Sequence, residues 1–308
     1  MSKVVVVGSY VVDLMSRTPH LPKPGETVLG GPFQMGPGGK GGNQATAAAR
    51  SGSEVTFLTK LGDDVFGREA LKHFTTENVN TEYIKVDPGQ ATGAALIEVD
   101  EKGENSIVVA LGACGTITEE EVVEAEEKIK EADIVLLQLE TSIEAIMTTV
   151  KLARNHDVPI ILNPAPYQEF PREILRDVAY ITPNETEAFE LTGIEVRDEN
   201  TARTAAQIIH ELGVKSVIIT LGSKGAFLYT GGDKGELVPS FTVEAVDTTG
   251  AGDAFNGGFA HAISNGYSVK NAMKFANAVA ALSVTRIGTA PAMPYKHEVE
   301  ALLAKTVK

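Results

Sequence analysis

Short β-branched runs alternate with helical stretches along most of this 308-residue chain, and this alternation constrains its fold more than any other feature. The runs are apolar nearly throughout, which is typical of strands covered on both faces. They are KVVVVG (3–8), EVTFLTKLG (54–62), ADIVLLQLE (132–140), VPIILNPAP (158–166), VAYITPNE (178–185) and KSVIITLG (215–222). Helical patterns cover 64–77, 118–131, 142–155 and 200–212. The order predicts a Rossmann-like α/β fold with a doubly wound, mostly parallel sheet flanked by helices.

Two segments interrupt the alternation. Residues 14–36 are rich in Pro and Gly, and within residues 82–112 two β-rich arms flank a turn at Gly103, which predicts an antiparallel hairpin. We expect both segments to form a small β-sheet beside the main one, acting as a lid or as an oligomer surface. Because no repeat or flexible linker divides the chain, we predict one domain over residues 1–308 with this lid inserted in it.

Composition and charge exclude several classes of protein. Lys and Arg number 27 against 41 Asp and Glu, and the net charge of -14 disfavours nucleic acid as a partner. No apolar run approaches the roughly 20 residues of a membrane helix, so we expect no membrane association. A single cysteine, Cys114, cannot form an internal disulfide, which favours simple packing of its thiol and a cytoplasmic location.

The stretch DTTGAGDAFNGG (247–258) places small residues and an acid where a helix is predicted to begin. The preceding FTVEAV (241–246) has the pattern of a strand that feeds this turn, and Thr248 or Thr249 could cap the helix. Backbone N–H groups at a glycine-rich helix N-terminus bind phosphate readily. The sequence therefore predicts an anion site here.

Asp253 lies in the first turn of that predicted helix. In a plain capped helix, its carboxylate would only complement the helix dipole. Capping alone does not require a glycine on each side of Ala251, because glycine costs backbone entropy. We therefore favour a functional role, in which Asp253 faces the reacting phosphate and the group that attacks it.

A second glycine-rich stretch, GPGGKGGNQATAAARSG (36–52), enters an alanine-rich helix with Lys40, Asn43 and Gln44 at its entrance. The spacing of a P-loop is absent. A flexible loop with a solvated lysine is the alternative interpretation. The small alanines beside Asn43 and Gln44 favour close helix packing, with both amides directed at a polyhydroxyl ligand.

Polar residues follow several of the predicted strands, namely Asp13, Glu140, Asn163 and Asn184. Ligands of open α/β sheets bind beyond the carboxyl ends of the strands, so these residues are predicted to converge on one crevice. Taken singly, each could be an ordinary turn or cap residue. The turn TLGSKGAF (220–227) between two strands is suited to lie against a nucleotide.

Five motifs in this order and spacing, GGKGGNQA, NPAP, TPNETEA, TLGSKG and DTTGAGDAFNG, resemble the ribokinase-like carbohydrate kinase family over essentially the full chain. The resemblance implies ATP-dependent phosphorylation of the primary 5-hydroxyl of a pentose, D-ribose to D-ribose 5-phosphate. It implies Asp253 as the catalytic base, with amides of Gly250, Ala251 and Gly252 holding the γ-phosphate. It also implies Mg²⁺, K⁺ as a monovalent activator, and a homodimer formed through the lid.

The resemblance also assigns binding positions to this sequence. For the sugar they are Val11, Asp13, Gly39, Lys40, Asn43, Glu140 and Asp253. For the nucleotide they are Asn184, Glu187, Thr220, Gly222, Gly225, Gly252 and Asn277, of which Glu187 matches the acid that organises the Mg²⁺ water shell. For the monovalent cation, held mainly by carbonyl groups, they are Asp247, Thr249, Ser283, Arg286, Gly288 and Ala292.

Three positions depart from the family pattern: Val11 replaces an asparagine, Asn277 a histidine and Ala292 a serine. Valine cannot hydrogen-bond a sugar hydroxyl, and leaving that hydroxyl unpaired would cost about 1–3 kcal/mol. A 2-deoxyribose kinase is therefore an alternative. A nucleoside or hexose kinase, a non-catalytic sugar sensor and, more remotely, a glycosidase on the same fold are further candidates.

Overall fold

The computed structural model describes residues 1–232 and 235–305, so the predicted domain extends at residues 233, 234 and 306–308 beyond the described part. Its strands are β1 (Lys3–Val7), β2 (Val11–Arg17), β3 (Phe33–Gly38), β4 (Glu54–Gly62), β5 (Ile84–Asp87), β6 (Thr92–Val99), β7 (Asn105–Gly112), β8 (Ile134–Gln138), β9 (Ile160–Asn163), β10 (Tyr180–Ile181), β11 (Ser216–Thr220), β12 (Ala226–Tyr229) and β13 (Glu236–Val238). Its α-helices are α1 (Lys40–Ser51), α2 (Val65–Thr76), α3 (Glu119–Val123), α4 (Glu126–Lys130), α5 (Ile143–Asn155), α6 (Glu185–Thr192), α7 (Glu199–Glu211), α8 (Ala251–Ser264), α9 (Val269–Ser283) and α10 (Lys296–Lys305).

Nine of these strands form the main sheet, in the order β13-β12-β11-β10-β9-β8-β1-β4-β5. Strand β1 pairs in parallel with β4 on one side and with β8 on the other, and the parallel pairing continues from β8 to β11. Only β12 and β13, at one edge, are antiparallel to their neighbours. The predicted doubly wound, mostly parallel α/β sheet is confirmed.

Helices cover both faces of this sheet, which explains the continuous apolar runs of its strands. In β1, Val5 and Val7 belong to the core packed under α3 to α7, whereas Val4 and Val6 belong to the core under α1, α2 and α8 to α10. Successive side chains of a strand point to opposite faces, so a strand buried on both faces needs apolar residues at every position. The alternating use of four consecutive valines shows this directly.

A second sheet of four strands, in the order β3-β2-β6-β7, lies apart from the main sheet. The predicted hairpin around Gly103 is present as the antiparallel pair β6 and β7, and β2 pairs in parallel with β6. The boundaries differ from residues 14–36 and 82–112. The small sheet begins at Val11, and Ile84–Asp87 pairs with β4 as an edge strand of the main sheet.

Two further local predictions differ from the structure. The helix predicted over 118–131 is two short helices, because the backbone leaves the helical conformation at Ala125 (φ -93°, ψ 7°). The strand predicted over 241–246 is wrong: this segment pairs with none of the described strands, and Val246 N–H instead donates to the carbonyl of Val284, just after α9. The β-branched pattern of 241–246 therefore has no neighbouring strand to pair with.

Cys114 is fully buried and donates its thiol to the carbonyl of Leu111 at 3.0 Å, as expected for a packed thiol. Burial raises the pKa of this thiol to about 12. Within residues 1–232 and 235–305, none of the helices combines the length and the apolar character that a membrane crossing requires.

Candidate active site

The carboxyl ends of the central strands meet the first turn of α8, and Asp253 lies there with only 5% of its surface exposed. Its two carboxylate oxygens each accept a hydrogen bond from the first turns of α1. Asn43 Nδ2 donates to Oδ2 at 2.9 Å, and Gln44 Nε2 donates to Oδ1 at 2.9 Å. The two glycine-rich motifs of the sequence therefore converge on one carboxylate.

The backbone N-terminal to Asp253 is shaped by Gly250, which is the N-cap of α8 with φ 77°. The predicted cap by Thr248 or Thr249 is wrong, because neither of them, nor any other described side chain, caps this helix. A left-handed conformation of this kind strongly favours glycine. It leaves the helix end without a side chain in front of it.

The amides at this helix end differ in what they can bind. The Ala251 N–H already donates to the carbonyl of Thr248 at 3.3 Å. Those of Gly250, Gly252 and Asp253 have no acceptor among the described residues. A Cβ added to Gly252 would meet nothing within 4 Å, so the backbone there is open to a ligand. Unpaired amides at a helix N-terminus form an anion site.

The predicted sugar positions Val11 and Asp13 are two residues apart on β2 and therefore point to the same side of the small sheet. Gly38 lies opposite Val11, and a Cβ there would come within 2.2 Å of Asp13 Oδ1. Asp13 Oδ2 accepts a hydrogen bond from the Thr289 hydroxyl at 2.9 Å. The small sheet thus brings this carboxylate to the crevice of the main sheet.

Glu140 anchors the start of α1. Its Oε2 accepts hydrogen bonds from the Ser9 hydroxyl at 2.5 Å and from the Lys40 amide at 2.8 Å. Gly39, with φ 79°, is the N-cap of α1, and an added Cβ would come within 2.6 Å of the Val11 amide nitrogen. Close backbone approach therefore requires glycine at position 39.

The crevice gathers charges of both signs. Burial, with the nearby carboxylates of Glu140 and Asp253, raises the pKa of Asp13 to about 6 despite the hydrogen bond from Thr289. Burial alone would lower the pKa of Lys40. The pKa of this ammonium is nevertheless raised, because Asp253, Glu140 and Glu187 outweigh burial.

Asn43 and Lys40 each have a polar group that is free to bind a ligand. Asn43 Oδ1 is buried without a donor among the described residues. Lys40 Nζ makes no hydrogen bond or ion pair with any described residue, although it lies within electrostatic reach of Asp253. A buried polar atom without a partner is costly, so an unpaired acceptor and an unpaired ammonium beside Asp253 favour a polar ligand there.

A cavity of about 440 Å³ lies against the N-terminus of α8, where Thr248, Ala251 and Gly252 line it. Six of the predicted nucleotide positions line it, namely Asn184, Thr220, Gly222, Gly225, Gly252 and Asn277. Its apolar lining includes Phe241, Phe255 and Ala281. Residues 241–243, predicted as part of a strand, form one wall of this cavity.

Asn277 presents one polar atom to this cavity. Its Nδ2 is engaged by the carbonyls of Val238 and Pro239, at 3.0 and 3.1 Å, whereas its Oδ1 accepts no hydrogen bond from the described residues. The free oxygen can accept from an amino group of a ligand.

Glu187, the remaining nucleotide position, does not line this cavity. Its two carboxylate oxygens accept from the backbone and side chain of Asn184 at 2.9 and 3.0 Å, in a capping box of α6. Burial raises the pKa of this carboxyl. Both oxygens are therefore occupied in the fold itself, but the group remains within electrostatic reach of Lys40 and Asp253.

The predicted cation positions lie in the turn before α8, at the end of α9 and in the segment after α9. Asp247 joins the turn to that segment. Its carboxylate accepts from the Thr249 amide and from the Gly288 amide, each at 2.9 Å. The carbonyl of Ser283 accepts from the Arg286 amide at 3.1 Å, and the Arg286 guanidinium pairs with Glu298.

The main-chain carbonyls of Asp247, Thr249, Arg286 and Gly288 accept no hydrogen bond from the described residues. Ala292 is buried and offers only its carbonyl. A weakly hydrated cation could bind to these unpaired main-chain carbonyl groups, which would then gain the partner that they lack.

Ser9, Thr289 and Gln138 were not predicted as residues of this site. Gln44 was predicted to contact a polyhydroxyl ligand, which its side chain cannot reach. Gln44 is fully buried and points at Asp253. Ser9 and Gln138 follow or end buried strands, the same signal that identified Glu140 and Asn163. No signal in the sequence marks Thr289.

Comparisons with known proteins agree with this geometry. The family model described as pfkB family carbohydrate kinase matches residues 1–296. Ribokinase from Haemophilus influenzae is 42% identical over 293 residues, covering 95% of this chain and 95% of that protein. Deoxyribokinase from Salmonella typhi is 39% identical over 292 residues, covering 94% of this chain and 95% of that protein.

A solved structure, that of Arabidopsis thaliana ribokinase complexed with ribose and ATP, matches with a TM-score of 0.91 and 33% identity, covering 98% of this chain and 99% of that one. The chain therefore belongs to the pfkB family of carbohydrate kinases.

Proposed function

We propose that the protein transfers the γ-phosphoryl group of ATP to the primary 5-hydroxyl of D-ribose, giving D-ribose 5-phosphate. One observation carries the proposal: a buried carboxylate, Asp253, lies in the same helical turn as unpaired amides, between a polar crevice and a 440 Å³ cavity. Phosphoryl transfer needs such positioning of an acceptor, a base and an anion site. The ribokinases among its relatives support ribose as the substrate.

In this mechanism Asp253 accepts the proton of the 5-hydroxyl as that oxygen bonds to the γ-phosphorus. The bond from this phosphorus to the bridging oxygen breaks, and ADP leaves with the electron pair. The transition state is loose, so a carboxylate suffices as the base, and base assistance contributes roughly 10² to 10⁴ in rate. The free amides of Gly250 and Gly252 stabilise the charge on the phosphoryl oxygens. Ala251 contributes less than predicted, because its N–H is engaged by Thr248.

The sugar would lie between the two sheets. Asp13 accepts from its hydroxyl groups, and Asn43 Oδ1 gains the donor that it lacks in the free protein. Lys40 and the backbone at Gly39 complete this side of the site, with Glu140 holding the start of α1 in place. These assignments rest on the convergence of the residues around Asp253.

The nucleotide would occupy the cavity lined by Asn184, Thr220, Gly222 and Gly225, with Asn277 near the base. The ATP complex of a related ribokinase supports this use of the cavity. Asn277 Oδ1 can accept from the amino group of adenine, which compensates for the histidine usual in the family.

Two metal ions fit the proposal in different ways. The described residues hold no group of three or more His, Cys, Asp or Glu side chains that could cage a metal, which suits Mg²⁺ carried by the phosphates of the nucleotide. When bound there, Mg²⁺ neutralises charge on the β- and γ-phosphates. Glu187 would act on its water shell only through the oxygens that also cap α6.

For K⁺, the unpaired carbonyls of Asp247, Thr249, Arg286 and Gly288 are the candidate ligands, with those of Ser283 and Ala292 nearby in sequence. Their loops adjoin the N-cap of α8, since a Cβ added to Gly250 would lie 3.4 Å from Thr289 Cα. A cation there would order the anion site.

The small sheet would close over the sugar as a lid, which excludes water and limits wasteful hydrolysis of ATP. Its outer strand β7 exposes Ile107, Val108 and Val109, an apolar surface that suits a homodimer formed through the lid.

We also propose that the chain is a single kinase domain with this lid inserted in it. The one cysteine, which is free, suits a reducing compartment such as the cytoplasm.

Val11 favours 2-deoxyribose as a second candidate substrate. Its side chain is buried on the same face of β2 as Asp13 and offers no hydrogen bond to a ribose hydroxyl. Similarity to a deoxyribokinase supports this alternative.

A coupled ATPase assay across ribose, 2-deoxyribose, fructose and nucleosides, with and without K⁺, tests the proposal. We expect turnover with pentoses and little with the others. Preferred turnover of a hexose or nucleoside would identify a different kinase, and sugar binding without transfer of the γ-phosphate would identify a sugar sensor.

A further inference from the structure

Gln44 is the most buried polar side chain in contact with Asp253, and all of its hydrogen-bonding groups are engaged. One N–H of its amide reaches Asp253 Oδ1 at 2.9 Å and the other reaches Asn163 Oδ1 at 3.1 Å. Its Oε1 accepts from Gln138 Nε2 at 2.7 Å. With 0% of its surface exposed, Gln44 cannot touch the sugar or the nucleotide.

We propose that Gln44 is a positioning residue for Asp253, held in a single orientation by Gln138 and Asn163. The inference rests on the proposed function, in which Asp253 is the base. The support comes from the main sheet, because Gln138 and Asn163 are register partners at the ends of β8 and β9. Asn163 is itself fixed by donation from its Nδ2 to the carbonyl of Thr182 at 3.1 Å.

The direction of these hydrogen bonds is determined by Asp253. A general base is ionised, and an ionised carboxylate only accepts, so Gln44 must present Nε2 to it. Gln44 Oε1 then faces Gln138, which must donate in turn. The orientation of both amides follows from the single acceptor at the end of the chain of hydrogen bonds.

This arrangement leaves Gln138 Oε1 buried without a donor among the described residues. A Cβ on Gly8 would lie 1.9 Å from this oxygen, so the backbone after β1 packs directly against it and leaves no room for a side chain. A buried acceptor without a partner is destabilising and rare. Its presence here indicates that the direction of the chain of hydrogen bonds serves the site.

The substitution Gln138→Glu tests this direction. A buried carboxyl at position 138 is protonated at low pH and can donate to Gln44 as the amide does. Once ionised it can only accept, so it competes with Asp253 for Gln44 Nε2. Gln138→Met removes the donor without introducing a titrating group and serves as the matched control.

The measurement is kcat at saturating ribose and ATP from about pH 6 to about pH 9, divided by the wild-type kcat at each pH. The titratable groups around the cluster are Asp13, Lys40, Cys114, Glu140, Glu187 and Asp253. They are present in the wild-type protein and in every variant, so the pH dependence that all of these proteins share divides out of the ratio. Asn200→Asp, at an exposed side chain in the first turn of α7, controls for a general effect of a new carboxyl.

We expect the ratio for Gln138→Glu to fall at least about fivefold across this range, because loss of position costs up to about 10² in rate. The ratios for Gln138→Met and Asn200→Asp should stay constant. A smaller fall for Gln138→Glu, or an equal fall for Gln138→Met, would overturn the positioning role. Absence of transfer by the wild-type protein would instead refute the proposed function.

If Gln138→Glu does not fold, Gln44→Met carries the test. It should lower kcat by on the order of 10² with KM for ATP unchanged. A loss below about tenfold, or a loss expressed in KM for ATP, would overturn the proposal.

Discussion

The hydroxyl of Thr289 lies 2.9 Å from Asp13 Oδ2, and it links the loop before α10 to the strand that carries the predicted sugar-binding carboxylate. The same hydroxyl lies 3.0 Å from the carbonyl of Pro37 on β3. Burial of Asp13, together with the two carboxylates near it, raises its pKa to about 6, although it receives this one hydrogen bond. The environment therefore destabilises the ionised form of Asp13, and we expect hydrogen bonds from the sugar to stabilise it.

Asp13→Asn should stabilise the free protein at neutral and alkaline pH. The pKa of Asp13 is higher in the folded state than its ordinary value of 3.8, so its contribution to stability is full below about pH 3.8 and is lost as pH rises through about 6. We expect the substitution to raise the free energy of unfolding by up to about 3 kcal/mol at pH 8, and by nothing near pH 4. Urea unfolding across this range measures it.

Asp63→Asn, at an exposed carboxylate that pairs with Arg68, is the control and should change the free energy of unfolding by less than about 1 kcal/mol. Asp13→Asn should also weaken ribose binding, since Asp13 is proposed to accept from the sugar. Equal stability of Asp13→Asn and wild type at pH 8 would contradict the assigned strain.

Gly252→Ala tests whether glycine at position 252 is required for ATP binding or for the stability of the backbone. A Cβ at position 252 meets nothing within 4 Å and the residue is helical, so we expect unchanged or slightly higher thermal stability. The methyl group would occupy the space in front of the free amides, so KM for ATP should rise at least about tenfold.

Gly250→Ala is its matched comparison, because φ at Gly250 is 77°. That substitution should cost about 1–2 kcal/mol of stability in addition to activity. If Gly252→Ala left KM for ATP unchanged, the phosphate would not bind at this helix end.

Val11→Asn should shift the substrate preference towards ribose. The amide would pair with a sugar hydroxyl that valine leaves unsatisfied, a change of about 1–3 kcal/mol, or roughly 5- to 150-fold in the ratio of kcat/KM for ribose to that for 2-deoxyribose. Val11→Ala offers no hydrogen bond and should leave this ratio nearly unchanged. A strong preference of the wild-type protein for ribose would refute the role given to Val11.

Elements defined by local pattern were predicted well. The nine residues of Glu54–Gly62 form a strand with the predicted bounds, because burial on both faces constrains nearly every position. The segment 241–246 has a similar β-branched pattern but no strand beside it, and pairing depends on neighbours that a local pattern does not contain. The break at Ala125 likewise interrupts a pattern of acids and apolar residues that continues on both sides.

In the site, too, features set by local pattern and topology were predicted, whereas the contacts of individual side chains were not. The rule that polar residues at strand ends converge placed Asp13, Glu140 and Asn163 near one crevice, because the topology of a parallel sheet brings these ends together. The group that each side chain contacts depends on tertiary distances, which the sequence does not contain. Gln44 was therefore predicted to contact the ligand, whereas it contacts Asp253. The cap of α8 was missed because Asp247 accepts from Thr249 and Gly288 and fixes the turn without a threonine cap.

The central claim, that Asp253 is the base, is tested most directly by single-turnover transfer of labelled γ-phosphate from ATP to ribose by Asp253→Asn, with ATP affinity measured in parallel. The amide cannot accept the hydroxyl proton, so the rate should fall by about 10² to 10⁴ while the Kd for ATP changes less than about threefold. Transfer at more than about a tenth of the wild-type rate, with ATP bound normally, would contradict the account.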